Sequence, residues 1–289
     1  MWKQTLCLGM MGAYGDVKPG TEEELRLIAG AGFEGFFSGW HDAEHLRECR
    51  RLAGELGLYY QSVHAPFKNV RALWHGTEEE AREALDELLR CLEDCAAAEV
   101  PIMVSHAAKG FKGAKDYEPN EAGVARFETL VRRAAQLGVR IAFENTEGVR
   151  YLDAVMEMAA AYPEAAGFCW DTGHEMCYNR SQDVPGRYPG RLIATHINDN
   201  LGVKDLNGAL TWHDDLHLLP FDGIGDWADI ARRLKDFDGP LTFELTTRSK
   251  PDRHDNDKYA RLTPEGFLAE AYARACRVGT LVCRAREKE

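Results

Sequence analysis

The chain reads as a single (β/α)8 barrel over residues 1–289, an α/β fold. Three observations predict it. Short apolar, β-branched or aromatic runs alternate eight times with longer stretches of helical period. Most of the short runs end in a polar residue followed by a loop. No low-complexity segment or Pro/Gly/Ser-rich linker is long enough to separate domains. Barrels of this kind run to about 250 residues or more as one unit, so the length suits one. An open doubly wound sheet is the alternative that the same alternation allows.

In chain order, the strands are expected at Thr5 to Gly12, Gly35 to Trp40, Tyr59 to Ala65, Ile102 to Ala107, Arg140 to Asn145, Gly167 to Thr172, Ile193 to Asn198 and Leu241 to Thr246. Lys3 and the apolar run Leu6 to Tyr14 resemble a short signal peptide, but the run is needed as the first strand. Helices are expected at Thr21 to Ala31, Ala43 to Leu56, Thr77 to Ala98, Glu121 to Leu137, Leu152 to Ala161, Asp226 to Asp236 and Thr263 to Val278, many closed by a following glycine. The third of these shows the pattern best: Thr77 and Glu80 form a capping box, and Leu85, Leu88, Leu89 and Leu92 recur at helical spacing. The sixth helix, after Glu175, has no clear bounds. Tyr14 to Gly20, Lys109 to Asn120, Asn200 to Asp222 and Arg248 to Arg261 read as flexible loops.

Composition narrows the function classes. With 45% hydrophobic and 28% charged residues the chain can bury a large core. The formal net charge of -12 works against nucleic acid as a partner. No apolar stretch approaches the roughly 18 to 20 residues that span a bilayer. The eight cysteines contain no CxxC pair and read as reduced core thiols of a cytoplasmic protein.

From the third strand onward, the residues at the strand ends are His64, His106, Glu144, Asp171, His196 and Glu244. Each alone is an ordinary loop residue. In a closed barrel, however, all six converge on the rim where catalysis sits. Mixed imidazole and carboxylate donors suit zinc, manganese or iron, whereas magnesium and calcium sites are nearly all oxygen. The absence of cysteine from these positions favours an open catalytic site over a closed structural one. His174 follows Asp171 by three residues, and Asp215 and His217 form a D-x-H triplet whose alternate side chains point the same way in an extended stretch. His213 and Asp214 compete for that role.

The segments Ser62-Val63-His64-Ala65, Val104-Ser105-His106, Phe143-Glu144-Asn145, Trp170-Asp171-Thr172-Gly173-His174, Thr195-His196-Ile197-Asn198-Asp199, Asp215-Leu216-His217 and Phe243-Glu244-Leu245 resemble the xylose isomerase-like TIM-barrel superfamily over roughly two thirds of the chain. That superfamily includes sugar and sugar-phosphate isomerases and epimerases, and endonuclease IV. Its ketose 3-epimerase branch implies one metal on Glu144, Asp171, His196 and Glu244. The endonuclease IV branch implies three zinc ions on His64, His106, Glu144, Asp171, His174, His196, Asp215, His217 and Glu244. Both patterns are satisfied, so the resemblance allows one to three divalent ions.

The first expectation is a sugar or sugar-phosphate isomerase or epimerase that moves a proton at carbon, with Glu144 and Glu244 as acid/base groups and His174 orienting a substrate oxygen. A multi-zinc phosphodiester hydrolase and a non-catalytic sugar- or metal-binding barrel are the alternatives. A basic cluster with interleaved aromatics for DNA is missing; Lys109, Lys112 and Lys115 come nearest and read as a solvated loop. Arg248, Lys250, Arg253 and His254 are equally open to binding a phosphate or to solvation. A homo-oligomer is neither required nor excluded.

Overall fold

A computed structural model describes residues 4–109, 118–207 and 210–287. Eight parallel strands form one sheet: β1 (Leu6–Gly9), β2 (Gly35–Gly39), β3 (Tyr59–His64), β4 (Ile102–His106), β5 (Arg140–Glu144), β6 (Ala166–Asp171), β7 (Leu192–His196) and β8 (Leu241–Phe243). Neighbours pair in sequence order and β1 pairs with β8. The remaining seam, between β7 and β8, is closed by a parallel bridge from Ile197 to Phe243, where Ile197 N donates to Thr242 O at 2.8 Å and Glu244 N to Ile197 O at 3.2 Å. This is a TIM barrel.

The helices are α1 (Thr21–Ala31), α2 (Ala43–Leu56), α3 (Val70–His75), α4 (Glu78–Ala97), α5 (Glu121–Leu137), α6 (Val149–Met158), α7 (Thr172–Cys177), α8 (Trp227–Arg233) and α9 (Pro264–Arg286). The expected capping box forms at α4: Glu80 N donates to Thr77 Oγ1, and Thr77 N donates back to Glu80 Oε2 at 2.8 Å. Such a cap contributes about 1 kcal/mol. One element was not foreseen, and the sixth helix, expected after Glu175, starts earlier. α3 is a short extra helix after β3, and α7 starts directly on Asp171, whose side chain caps it by accepting from His174 N at 2.6 Å. That immediate start explains why no amphipathic sixth helix was visible.

Strand alternation sorts the core into two layers. Met103, Ile141, Phe143, Phe168 and Trp170 face outward and join the large core under the helices. Val104, Ala142, Cys169 and Ala194 face inward, with Ile102 completing the plug. Each of the first four lies two residues before a strand-end polar residue, so the interior is dry and apolar up to the level where those polar residues begin.

Described parts of the loops after β7 and β8 are anchored by hydrogen bonds and an ion pair. Asp199, fully buried, accepts from Asn200 N (2.9 Å) and Gly225 N (3.0 Å) on Oδ1, and from Phe221 N (2.9 Å) and Trp227 Nε1 (3.0 Å) on Oδ2. Gly223 permits this approach, since a Cβ there would lie 2.3 Å from Asp199 Oδ1. Arg253 pairs with Asp214 at 2.8 Å and donates to Gly202 O at 2.8 Å, which anchors the segment after β8 to the one after β7. Of the segments expected to be flexible, parts of Lys109 to Asn120 and of Asn200 to Asp222 lie outside the described residues, as do Lys112 and Lys115.

Candidate metal centre

All nine residues singled out in the sequence come together at the C-terminal mouth of the barrel. Register does much of this: His106 lies opposite Glu144 across β4 and β5, and Asp171 opposite His196 across β6 and β7. Donor atoms gather into three groups, within each of which they lie no more than 4.8 Å apart: His64, His106 and Glu144; Glu144, Asp171, His196 and Glu244; and His174, Asp215 and His217. Glu144 belongs to the first two. Its Oε2 is 2.9 Å from His106 Nε2 and 3.4 Å from His64 Nε2, and its Oε1 is 2.8 Å from His196 Nδ1. His196 Nδ1 also lies 2.9 Å from Glu244 Oε2. In the third group Asp215 Oδ1 is 3.0 Å from His217 Nε2 and 3.4 Å from His174 Nε2.

Backbone carbonyls orient three of the imidazoles. His64 Nδ1 contacts Ala65 O at 2.8 Å, His174 Nδ1 contacts Asn145 O at 2.9 Å, and His217 Nδ1 contacts Glu244 O at 3.2 Å. A carbonyl only accepts, so each Nδ1 carries the proton and donates. Each Nε2 is thereby turned toward a carboxylate, the arrangement that presents imidazole as a ligand.

A family model described as xylose isomerase-like TIM barrel matches residues 25–269. The chain belongs to this family. This xylose isomerase-like barrel is 28% identical over 311 aligned positions to the uncharacterized protein y4fM of Sinorhizobium fredii (strain NBRC 101917 / NGR234), covering 93% of this chain and 92% of that protein. Solved structures share the fold at lower identity. One is a structure of L-ribulose 3-epimerase, with a TM-score of 0.69 at 16% identity over 99% of this chain and 97% of the other. Another is the IOLI protein with a bound zinc atom, with a TM-score of 0.68 at 17% identity over 97% and 98% of the two chains. The barrel spans only 41% of a third, longer protein, a fusion of a xylose isomerase-like TIM barrel with a 4-hydroxyphenylpyruvate dioxygenase, at a TM-score of 0.66 and 18% identity over 90% of this chain.

The barrel's electrostatics show what the cluster lacks. Burial opposes the charge of Glu144, yet His196, with the close ring of His106, holds its carboxyl well below the usual carboxylate range. Glu244 is likewise held down to about 2 by His196 and His217 against burial. Burial works against the cations too, but the surrounding carboxylates raise His196 and His174 well above the ordinary imidazole value and His217 to about 9. His106 goes the other way, pushed down to about 4 by burial. Burial also lifts Asp171 to about 6. The carboxylates of this mouth thus demand positive charge between them.

Sequence reasoning quoted, but gave no role to, the residues that hold the nine in place. Asn145 bridges β5 and β6, donating to Asp171 O (2.9 Å) and accepting from Asp171 N (2.8 Å). Asn198 Nδ2 donates to Asp171 Oδ2 at 2.9 Å, and Gly173 makes room for it, because a Cβ there would lie 1.8 Å from Asn198 Oδ1. Asn145, Asn198 and Asp199 each sit one to three residues beyond a strand-end residue, which was the available signal. Cys169 was likewise given no role here: its thiol lies within the 4.8 Å reach of Glu144 and His196, although burial holds it protonated. Its place two residues before Asp171 on β6 points it the same way.

The D-x-H pair meets for a different reason than extended alternation. His217 has φ +49, a left-handed turn that swings its ring back onto Asp215. The competitors drop out: His213 pairs with Asp252 at 2.7 Å, and Asp214 with Arg253. Arg253 is consumed in that ion pair rather than offered to a phosphate. A groove of about 910 Å³ lined by Arg26, Leu27 and Leu268 lies outside the barrel against α1 and α9, away from this mouth.

Proposed function

We propose that this barrel is a metal-dependent enzyme of the sugar isomerase or epimerase kind, moving a proton at carbon on a small ketose or polyol. The observation that carries the reading is the four-residue group Glu144, Asp171, His196 and Glu244, in which Glu244 has a side chain 28% exposed while Glu144 is sealed. One carboxylate of the group can therefore meet a substrate. The similarity to L-ribulose 3-epimerase and to the zinc-bearing IOLI protein supports it by analogy of fold.

The residues fit a divalent ion. Glu144 Oε2 and Asp215 Oδ1 are buried and accept no hydrogen bond in spite of their close imidazole contacts, and His196 Nε2 and His106 Nδ1 are also without hydrogen-bond partners among the described residues. Oxygens and nitrogens 2.9 to 3.4 Å from one another without hydrogen-bond geometry point at a shared centre rather than at each other. Glu144, Asp171, His196 and Glu244 would hold the ion, in the nitrogen and oxygen mixture suited to zinc, manganese or iron. When bound, it supplies Lewis acidity toward oxygens on adjacent carbons. Glu244 takes and returns the proton at carbon. Glu144, facing Glu244 in the same group, has both oxygens against imidazoles, so its share of proton transfer is the smaller one. His174 is fixed by Asn145 O, with Nε2 toward the mouth, and orients a substrate oxygen or a further ion.

A second reading, a multi-zinc phosphoester hydrolase, is favoured by one observation: the groups around His64 and His106 and around Asp215 are as well formed as the central one. Loading decides between them. One divalent ion leaves the carboxylates Glu144, Asp171, Asp215 and Glu244 in excess, so an anionic group must be held away from the reacting centre, whereas three ions outweigh them and attract phosphate to the centre itself.

The test is a metal analysis followed by solvent exchange. Protein purified with zinc or manganese should retain the metal, and candidate ketoses in deuterated water should acquire deuterium at carbon by NMR. Glu244→Gln should lower turnover by about 10²- to 10⁴-fold with little change in substrate binding. A wild type that holds no transition metal in replete medium overturns the reading. So does turnover without deuterium at carbon together with recovery of the variant on added metal. Efficient cleavage of phosphoesters, with three ions per chain, would establish the hydrolase instead.

A further inference from the structure

Two lysines stand at the mouth without a direct ion pair to any described residue. Lys109 follows His106 at the end of β4 by three residues, and its ammonium lies 3.5 Å from the centroid of Phe67. Phe67 in turn stacks on His106, with centroids 4.9 Å apart and planes at 15°. Lys250 comes from the segment after β8, with its ammonium 5.4 Å from the ring of the half-exposed Trp212. β4 and β8 are four steps apart in a ring of eight, and the two ammonium groups lie within electrostatic reach of one another. Neither ammonium makes a hydrogen bond or an ion pair with any described residue, and both side chains are half-buried.

Aromatic faces hold a cation in place without neutralising it. A half-buried ammonium with no anion is costly, so such a pair is kept where an anion visits. Lys109 shows the cost: burial lowers its pKa, and the charges within its reach are Glu147, Asp215, Glu144 and, opposing, Lys250. Glu144 and Asp215 are already committed to imidazoles. Against the two ammonium groups, Glu147 is the other carboxylate within reach of Lys109.

We infer that Lys109 and Lys250 form the two sides of an anion subsite, and that the substrate is a ketose or polyol carrying a phosphate or carboxylate on a carbon remote from the Glu144–Glu244 group. The inference rests on the sugar-converting reading of that group. It separates the substrate from neutral sugars, and it gives the segments after β4 and β8 a part in specificity.

The probes are ribulose, ribulose 5-phosphate and ribonate, titrated calorimetrically into zinc-loaded and chelator-treated protein. The chelated arm isolates the lysines from direct contact between anion and metal. Both anions should bind at least tenfold tighter than ribulose, and less tightly as salt rises. Lys109→Gln and Lys250→Gln should each remove at least fivefold of that preference without moving ribulose, and Lys109→Arg should keep it. A stronger response to ribulose 5-phosphate assigns a phosphate, and one to ribonate a carboxylate. Anions that bind no better than ribulose, or Gln variants that hold them as the wild type does, overturn the inference. The same holds if Lys109→Gln only lowers the urea midpoint, since the lysine is then a structural counter-charge. The two readings fail separately: loss of anion preference in a protein without metal or deuterium exchange keeps the subsite and rejects the enzyme, and exchange on neutral ribulose untouched by either variant does the reverse.

Discussion

Asp199→Ala tests how the mouth is built. The carboxylate receives four hydrogen bonds from three separate stretches: Asn200 beside it, Phe221 and Gly225 on the loop that follows Asp215 and His217, and Trp227 at the start of α8. Alanine leaves all four donors without an acceptor. A stranded buried donor costs about 1–3 kcal/mol, and some of the four will find water in the space vacated, so a loss of about 4 kcal/mol is expected. Against a total of about 5–15 kcal/mol for a folded domain, that is a large fraction. Asp199→Asn is the graded control. Its oxygen can still accept the two bonds now made by Oδ1, but its amide faces Phe221 N and Trp227 Nε1 donor to donor, so about half the loss should remain. Urea unfolding at constant slope gives both values. Metal analysis gives the second half of the expectation, because the loop that loses its anchor carries Asp215 and His217: any ion held there should be lost before one held by Glu144, Asp171, His196 and Glu244. An Asp199→Ala protein within about 1 kcal/mol of wild type would falsify the claim that this carboxylate organises the loop.

Two further outcomes follow from buried contacts. Gly173→Ala must displace Asn198, whose amide supports Asp171, so it should weaken metal retention far more than helix α7 itself; retention equal to wild type on metal analysis would contradict the tight contact. Glu24, buried on α1, accepts from Met11 N, Gly12 N and the Tyr14 hydroxyl, and burial raises its pKa above the usual carboxylate value despite those bonds. Its folded pKa being raised, its contribution is fully present below the unfolded pKa and fades as pH rises through the folded one. Wild type should therefore gain stability relative to Glu24→Gln as pH falls from neutral into the carboxylate range, and a difference in urea stability that is the same at both ends would refute the burial argument.

What the sequence displayed and what it hid divide along a physical line. Strand ends were legible because an inward apolar residue followed two positions later by His, Asp or Glu repeats a period that any parallel strand imposes: Val104 and His106, Ala142 and Glu144, Ala194 and His196. The convergence of those residues followed from closure alone. The loop anchors were hidden because they are a matter of distant partners. Nothing local to Asn200–Asp222 shows that Asp199 will collect Phe221 and Gly225, or that Arg253, beyond the next strand, will lock onto Asp214. His217 met Asp215 through a left-handed backbone that no alternation rule contains. The lysines could not be weighed at all, since their meaning lies in the rings beneath them and in the absence of a paired carboxylate.

The position of Glu144 has a consequence for how this mouth can be dissected by mutation. One carboxylate is the common vertex of His64, His106 and His196, with an oxygen toward each side. Removing any one of those rings changes the charge and orientation available to the other two, so their effects are epistatic: paired changes at His106 and His196 will not equal the sum of the separate ones. A residue-by-residue apportioning of affinity or rate among these three histidines has no unique solution. The unit that can be assigned a value is the whole vertex, and only cycles that include Glu144 itself can measure it.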